Sequence, residues 1–290
     1  MKQRKQLKEL TIKDNFMFGA VMMEEDNCKS FLELALGFPI DRVEVSKEKS
    51  IVYHPEYKGV RLDVYAKDEK NTRYNVEMQV AKKSELGKRS RYYYGQIDME
   101  LLLSGSDYAE LPDVYVIFIC DFDPFGKKRY RYTFEWRCAE DADVMLREGC
   151  KSIFLSTRGE NEEEVPEELV KFLHFVKADL DESEIDFKDD FVRKLQNTIY
   201  RVKSNREMEE RFMIFEEMLR DERAEGKAEG KAEGKAEAKI EDILDILEDK
   251  CQLPADLRSR IEDEKNLQTL TRWLKLAAKA DSLEEFLSQM

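Results

Sequence analysis

Two carboxylates and an amide near the middle of the chain have the types and the spacing of a cation site. Asp63 lies in a run of alternating apolar and polar residues, and Glu77 and Gln79 lie in a second such run. This alternation predicts two half-buried strands, and the Asp and Asn residues between them favour a turn. In a hairpin symmetric about Lys70, Asp63 lies directly opposite Glu77. Arg61 then lies opposite Gln79, on the same face of the sheet.

Opposed carboxylates at this position would favour a bound cation. Directly opposed Cβ atoms lie roughly 4.5–5.5 Å apart, so two carboxylates there repel each other unless a positive charge lies between them. Mg²⁺ prefers oxygen ligands, keeps several waters and takes phosphate oxygens as partners. Such an ion polarises a phosphoryl group and lowers the pKa of an attacking water. Asp63 and Glu77 are therefore a candidate Mg²⁺ site, although a polar hairpin face is also the ordinary solvent face of a sheet.

The segment that follows the hairpin is basic and could bind a nucleic-acid backbone next to the cation. Five cations and one acidic residue lie between residues 82 and 91, and three consecutive tyrosines follow them. Cations neutralise phosphates and provide sequence-independent affinity. A solvated helix face explains the same pattern without a ligand. The predicted DNA contacts are Lys82, Arg89, Arg91 and Tyr93.

An α/β core is predicted to carry the hairpin. Val114–Asp121 is nearly all apolar, which indicates a central strand covered on both faces. Ser84–Leu103 has helical periodicity and connects the hairpin to that strand, so the two strands should be parallel. Further strands are predicted at Val43–Tyr53, Arg129–Arg137 and Ser152–Ser156, and further helices at Thr11–Glu24, Lys29–Gly37 and Pro166–Lys177.

The chain beyond residue 190 has the composition of exposed helices. Residues 191–239 contain AEGK three times and then AEAK, and we interpret them as a charged helical stalk. The repeat is either a solvated spacer or a small-residue face for helix pairing in a dimer. Residues 240–290 recover apolar periodicity, which is broken at Pro254 and Asn266. We therefore predict a core domain at 1–190, a stalk, and a small helical module whose tail could form a homo-oligomer.

Composition limits the classes of function. The net charge of −14 argues against a protein that is basic overall, but not against a local basic track. No apolar run approaches the roughly 18 residues of a membrane span, and the first residues lack the apolar stretch of a signal peptide. Five scattered cysteines and two histidines disfavour a zinc site and a histidine-activated nucleophile. We expect a cytoplasmic protein with reduced thiols.

Five short strings occur in a consistent order within the first 160 residues. They are DNFMF at Asp14–Phe18, GVRLDVY at Gly59–Tyr65, NVEMQ at Asn75–Gln79, KRSRYY at Lys88–Tyr93 and FDPFG at Phe122–Gly126. Together they resemble the Rpn-type recombination-promoting nucleases, which are often described as PD-(D/E)XK nuclease family transposases. The resemblance is carried by these strings and is less specific over the repeat and the C-terminal module.

The resemblance implies a restriction-endonuclease-like core, an α/β fold with a mixed central sheet flanked by helices, and Mg²⁺-dependent hydrolysis of DNA. By motif position, Asp63 is the core aspartate and Glu77 the acidic member of the (D/E)xK pair, and both would bind the metal. Gln79 stands where the superfamily usually has lysine. An amide can orient a water but supplies no positive charge. The metal, Arg61 or Lys82 would have to supply that charge.

Other roles stay open beside a DNA endonuclease of a mobile element or of genome defence. A catalytically weak or inactive protein of the same fold could act in DNA binding or protein assembly. A pure interaction protein built on the stalk would leave the acidic pair unexplained, and the intact pair favours the enzyme. Asp14 could match a further acidic residue of the superfamily, or it could be a helix N-cap.

Overall fold

A computed structural model describes residues 5–51, 60–82, 85–250 and 252–290. The chain forms two compact units, Met1–Phe212 and Met213–Met290. The division into three segments with separate roles, at residues 190 and 239, stays a prediction. None of the described helices is long and apolar enough to cross a membrane.

Within the described residues, the first unit is built on a six-stranded mixed sheet in the order β1-β2-β3-β4-β6-β5. The β3–β4 and β4–β6 pairs are parallel, and the other pairs are antiparallel. This confirms the predicted α/β fold with a mixed sheet. The strands are β1 (Val43–Ile51), β2 (Val60–Asp68), β3 (Arg73–Gln79), β4 (Val114–Cys120), β5 (Arg131–Phe134) and β6 (Cys150–Ser156).

The pairing of β2 with β3 has the register that the sequence predicts. Val64 pairs with Val76, so the hairpin is symmetric about Lys70. Continued by one residue, this register places Asp63 opposite Glu77. Register is strongly specified in such a hairpin because a slip by one residue would turn every side chain to the other face.

Five α-helices of the described chain belong to the first unit. The predicted pair at the N-terminus is confirmed, and the second of these helices ends at Gly37, whose φ of +80° suits glycine. The helix after the hairpin connects β3 to the parallel β4, as predicted. The five helices are α1 (Asn15–Met22), α2 (Glu25–Leu36), α3 (Leu86–Leu101), α4 (Glu167–Lys177) and α5 (Asp190–Lys203).

Two predicted elements differ from the structure. The strand predicted at Arg129–Arg137 pairs only over the four residues of β5, opposite β6. The helix predicted to begin at Phe191 is interrupted at Ser204 and Asn205, and its first part is α5. The last two residues of the predicted strand Val43–Tyr53 lie outside the described residues.

The first unit extends past residue 190 because α5 packs against the early helices. Asn27 Nδ2 donates a hydrogen bond to Thr198 Oγ1 over 3.1 Å, and both side chains are fully buried. The rings of Phe172 and Phe191 lie 5.8 Å apart. α5 therefore belongs to the core that supports the sheet.

The second unit is helical, as predicted for the C-terminal module. Its helices surround a small core in which Ile243, Leu270 and Phe286 are fully buried. Asn266 caps one of them, because its side chain accepts hydrogen bonds from the N–H groups of the next turn. The AEGK repeat lies within the long helix Arg206–Glu248. These helices are α6 (Arg206–Glu248), α7 (Ala255–Glu262), α8 (Leu267–Lys279) and α9 (Leu283–Gln289).

Candidate active site

The carboxylates of Asp63 and Glu77 meet between β2 and β3. The backbone N–H of Asp63 donates to Glu77 Oε1 over 3.4 Å, and the N–H of Met78 donates to Asp63 Oδ2 over 3.2 Å. Each carboxylate thus accepts a hydrogen bond from the backbone of the opposite strand. These bonds fix the two acidic side chains beside each other, as the hairpin register requires.

Glu77 is buried and lacks sufficient positive charge around it. Glu77 is only 1% exposed to solvent. Burial, and then the charge of Asp63, raise the pKa of Glu77 from its ordinary value of 4.5 to about 7, while the Arg89 guanidinium opposes this shift. A second positive charge would favour the ionised form of Glu77.

Arg89 reaches from α3 to the acidic pair. Its Nη2 donates to Glu77 Oε2 over 2.8 Å, and its Nη1 donates to Gln79 Oε1 over 3.0 Å. The guanidinium carbon also lies 5.8 Å from the centre of the Phe118 ring. The sequence assigned Arg89 to the DNA-binding track, and the structure shows that its guanidinium contacts the catalytic candidates themselves.

Tyr93 is part of the same cluster. Arg89 Nε and Nη2 donate to its hydroxyl oxygen over 2.9 and 2.7 Å, and the hydroxyl donates to Glu77 Oε2 over 3.2 Å. Burial raises the pKa of Tyr93, so the hydroxyl keeps its proton. The four-residue spacing of Arg89 and Tyr93 places both on one side of α3, and this is the sequence signal that could have predicted their contact.

The donor set of the pair fits a divalent cation. Mg²⁺ is usually bound by one or two carboxylates, and waters and phosphate oxygens complete its shell. Asp63 and Glu77 would hold the ion, and the raised pKa of Glu77 indicates that positive charge is favoured there. Among the described residues, no group of three or more His, Cys, Asp or Glu side chains could hold a metal. With two protein carboxylates as ligands, waters and substrate oxygens would complete the shell of the ion.

Asp14 is engaged elsewhere. Its Oδ1 accepts a hydrogen bond from Lys5 Nζ, and its Oδ2 accepts one from the N–H of Thr11, both over 2.8 Å. The residue precedes α1, but its side chain bonds backwards to Thr11 rather than to the first turn of the helix. These contacts give no support to its role as a further acidic residue of the site.

Lys82 and Arg91 line two adjoining cavities at the first turns of α3. Lys82 lines a cavity of about 470 Å³ together with Lys88. Arg91 lines a second cavity of about 340 Å³. Gly87 and Phe125 belong to both linings, so the two cavities are neighbours. Both cations are exposed, as the predicted DNA contacts require. The side chain of Arg61 lies outside the described part of the chain.

The fold and the acidic pair define a nuclease-type α/β domain, in which a mixed sheet presents two carboxylates beside a basic helix. The chain belongs to the PD-(D/E)XK nuclease family transposases, whose family model matches residues 13–229, more than half of its length. No curated protein and no solved structure was found to match the chain. The resemblance of the five short strings is thus confirmed at the level of the family.

Proposed function

We propose that the protein is a DNA endonuclease that uses Mg²⁺ or another divalent cation to hydrolyse phosphodiester bonds. The observation that carries this proposal is the pairing of the Asp63 and Glu77 carboxylates between β2 and β3, with the pKa of Glu77 raised by burial and by Asp63. Such a pair favours a divalent cation. Membership of a nuclease family supports DNA as the substrate.

In this proposal each residue of the cluster has a separate task. When bound, the cation polarises a phosphoryl oxygen and lowers the pKa of the attacking water. Asp63 and Glu77 hold the ion, and the amide of Gln79 orients the water. Arg89 supplies the positive charge that Gln79 lacks, because its guanidinium donates to the Gln79 oxygen at 3.0 Å. Tyr93 fixes Arg89 and Glu77 through its hydroxyl.

The exposed cations of α3 and of the segment before it would bind the DNA backbone. Lys82 and Arg91 each line a cavity on the same stretch of surface. Cations at such positions neutralise phosphates and orient the strand without reading its sequence. Arg89 would contact the phosphate next to the cation rather than a distant part of the backbone.

One observation favours the alternative, a weak or inactive nuclease-fold protein that binds DNA or takes part in protein assembly. Arg89 Nη2 lies 2.8 Å from Glu77 Oε2, and the Glu77 residue is 1% exposed. A cation that uses this oxygen must displace the guanidinium. If the guanidinium stays in place when DNA binds, the protein holds DNA without cutting it.

Plasmid nicking with isosteric variants separates the two functions. Supercoiled plasmid is incubated with and without Mg²⁺, beside Asp63→Asn and Glu77→Gln. We expect Mg²⁺-dependent nicking that both changes reduce by about a hundred-fold or more, since loss of a partner in the outer shell of a metal site already costs about 10- to 100-fold and a direct ligand contributes more. Glu69→Gln is the matched control, because Glu69 is exposed at the turn of the same hairpin.

A second measurement tests the cation without cleavage. Mg²⁺ should raise the melting temperature of the wild-type protein and not that of Glu77→Gln, because an ion that binds only the folded state stabilises it. Equal nicking by all variants would contradict the assignment of the pair. DNA binding in a gel shift without any cleavage would favour the inactive alternative.

Membership of a family of transposases supports a role in mobile elements. We propose recombination within mobile elements, or genome defence, and a cytoplasmic location. The exposed repeat in α6 supports the charged helical stalk, and we propose the helical tail as the site of a homo-oligomer.

A further inference from the structure

A second cavity on the face that α3 covers has an aromatic lining. Its volume is about 340 Å³, and it lies between α3 and strands β5 and β6. Trp136 and Phe134 come from the end of β5 and the residues after it, and Phe154 comes from β6. Trp136 is 65% exposed, and Phe125 and Phe134 are also exposed. Large aromatic side chains that surround one cavity and face solvent indicate a binding surface.

This cavity lies close to the acidic pair. Glu77 pairs with Phe118 in β4, and Phe118 pairs with Phe154 in β6. Neighbouring strands are 4.7–4.9 Å apart, so Glu77 and Phe154 are about 10 Å apart on one face of the sheet. One strand of B-form DNA advances about 3.4 Å per nucleotide. The separation therefore corresponds to about three nucleotides. Phe118 is fully buried between the two sites, so a strand would pass over the surface at the first turns of α3, where the cavity lined by Lys82 and Lys88 adjoins this one.

Both signs of charge occur around the cavity. Arg91 lines it from α3, and Lys82 and Lys88 line the adjoining cavity, while Glu148 lies beside Cys150 of the lining. Glu135 is the acidic residue of the lining, and it is paired with Arg137 over 2.7 Å and with Lys151 over 3.5 Å. An aromatic floor with cations at its edge is the composition of single-strand binding sites, in which bases stack on the rings and the cations follow the backbone.

We propose that this cavity takes an unpaired nucleobase of the DNA strand that is bound at the acidic pair. The inference rests on the proposed DNA substrate and specifies its form. A base inside a duplex is stacked, so it must be single-stranded or flipped out of the duplex to enter a pocket. Trp136 and Phe125 stack on the base, and Arg91 contacts the adjacent phosphate. An apolar peptide would make no use of Arg91 or of Lys82 and Lys88 in the adjoining cavity, so these exposed cations favour the nucleotide.

Fluorescence of Trp136 gives a direct test. The chain has two tryptophans, and Trp273 is buried in the second unit. In the full-length Trp273→Phe protein, Trp136 is therefore the only tryptophan. We expect a short single strand, added in EDTA to prevent cleavage, to quench its emission. The same strand with abasic sites should bind about ten-fold more weakly and quench little, because stacking of a base is lost.

Variants locate the effect, with anisotropy of a labelled strand as the measurement. Trp136→Ala should weaken binding of the intact strand about ten-fold and leave binding of the abasic strand unchanged, whereas Trp136→Phe should retain binding. Tyr108→Ala is the matched control, since Tyr108 is 82% exposed and does not line the cavity.

A variant that fills the cavity tests the proposal even if Trp136→Ala does not fold. A Cβ at Gly87 would meet no atom within 4 Å. Gly87→Leu should therefore fold and narrow the cavity, and it should abolish the preference for the intact strand. Gly87→Ala serves as its control, since it adds a single methyl group and is expected to keep that preference.

The outcomes are distinct from those of the plasmid assay. Equal affinity for intact and abasic strands, or quenching by an apolar peptide and not by DNA, would overturn the cavity proposal. If Mg²⁺-dependent nicking persists in that case, the proposed nuclease function stands. Base-dependent quenching without any nicking would instead retain the cavity and reject the endonuclease.

Discussion

Glu77 makes the stability of the fold depend on pH. Burial and the neighbouring Asp63 carboxylate raise its pKa from 4.5 to about 7, and Arg89 opposes part of that shift. The folded chain therefore binds the Glu77 proton more tightly than the unfolded chain does. Since the unfolded state binds fewer protons between these two values, the free energy of unfolding falls as the pH rises through them.

We predict that this residue lowers the free energy of unfolding by about 3 kcal/mol between pH 4.5 and pH 7, at about 1.4 kcal/mol for each unit of pKa. The contribution becomes constant about one pH unit above the raised pKa, near pH 8. Glu77→Gln cannot titrate, so its stability should fall less than that of the wild type between pH 5 and pH 8. Urea denaturation at both pH values measures the difference, with Glu69→Gln as the control. Parallel changes in wild type and Glu77→Gln would contradict the raised pKa.

The pairing of Asp63 with Glu77 could be predicted from sequence, whereas the position of Arg89 could not. Alternation with period two and a central turn fix which residues of a hairpin are opposed. A cation on a helix can point to solvent, to DNA or into the protein, and local sequence does not distinguish these. The contact with Glu77 and Gln79 depends on how α3 packs on the sheet, which is a tertiary property.

At the scale of elements, α5 shows what composition alone does not predict about the chain after residue 190. Charged residues dominate this segment, and they suggested an exposed helix. The buried residues of α5 recur at helical spacing, and they are Val192, Leu195, Thr198, Ile199 and Val202. β4, by contrast, could be predicted because a continuous apolar run is typical of a central strand.

The N-cap of α5 allows a test of its place in the first unit. Asp189 is buried, and its Oδ1 accepts a hydrogen bond from the N–H of Val192 over 2.9 Å. We predict that Asp189→Ala lowers the free energy of unfolding by about 1 kcal/mol, because a buried N–H loses its partner. Asp190→Ala, one residue later and almost fully exposed, should change it by less than about 0.5 kcal/mol.

The melting temperature of the first unit measures the effect of both variants. The sheet carries most of the strand signal, so circular dichroism in the region of β structure follows that unit. If α5 were an independent stalk, uncapping it would leave this transition unchanged. An unchanged melting temperature in Asp189→Ala would therefore contradict the packing of α5 on the core.

At the scale of the whole molecule, the charge of the chain restricts where DNA can bind. The net charge is −14, so most of the surface repels phosphate. The exposed cations that line the two cavities beside α3 are Lys82, Lys88 and Arg91. A local basic track on an acidic body binds nucleic acid through few phosphate contacts, and its affinity is sensitive to salt.

We predict that the logarithm of the affinity for duplex DNA falls with the logarithm of the salt concentration with a slope of about −4, since the three exposed cations and Arg89 release about 0.9 counterions each. Arg91→Gln should reduce the slope by about one and weaken binding to all sequences alike. Arg206→Gln is the control, because Arg206 is exposed and lies outside both cavities. Anisotropy at several salt concentrations gives the slopes. A slope that Arg91→Gln leaves unchanged would place the DNA elsewhere on the molecule.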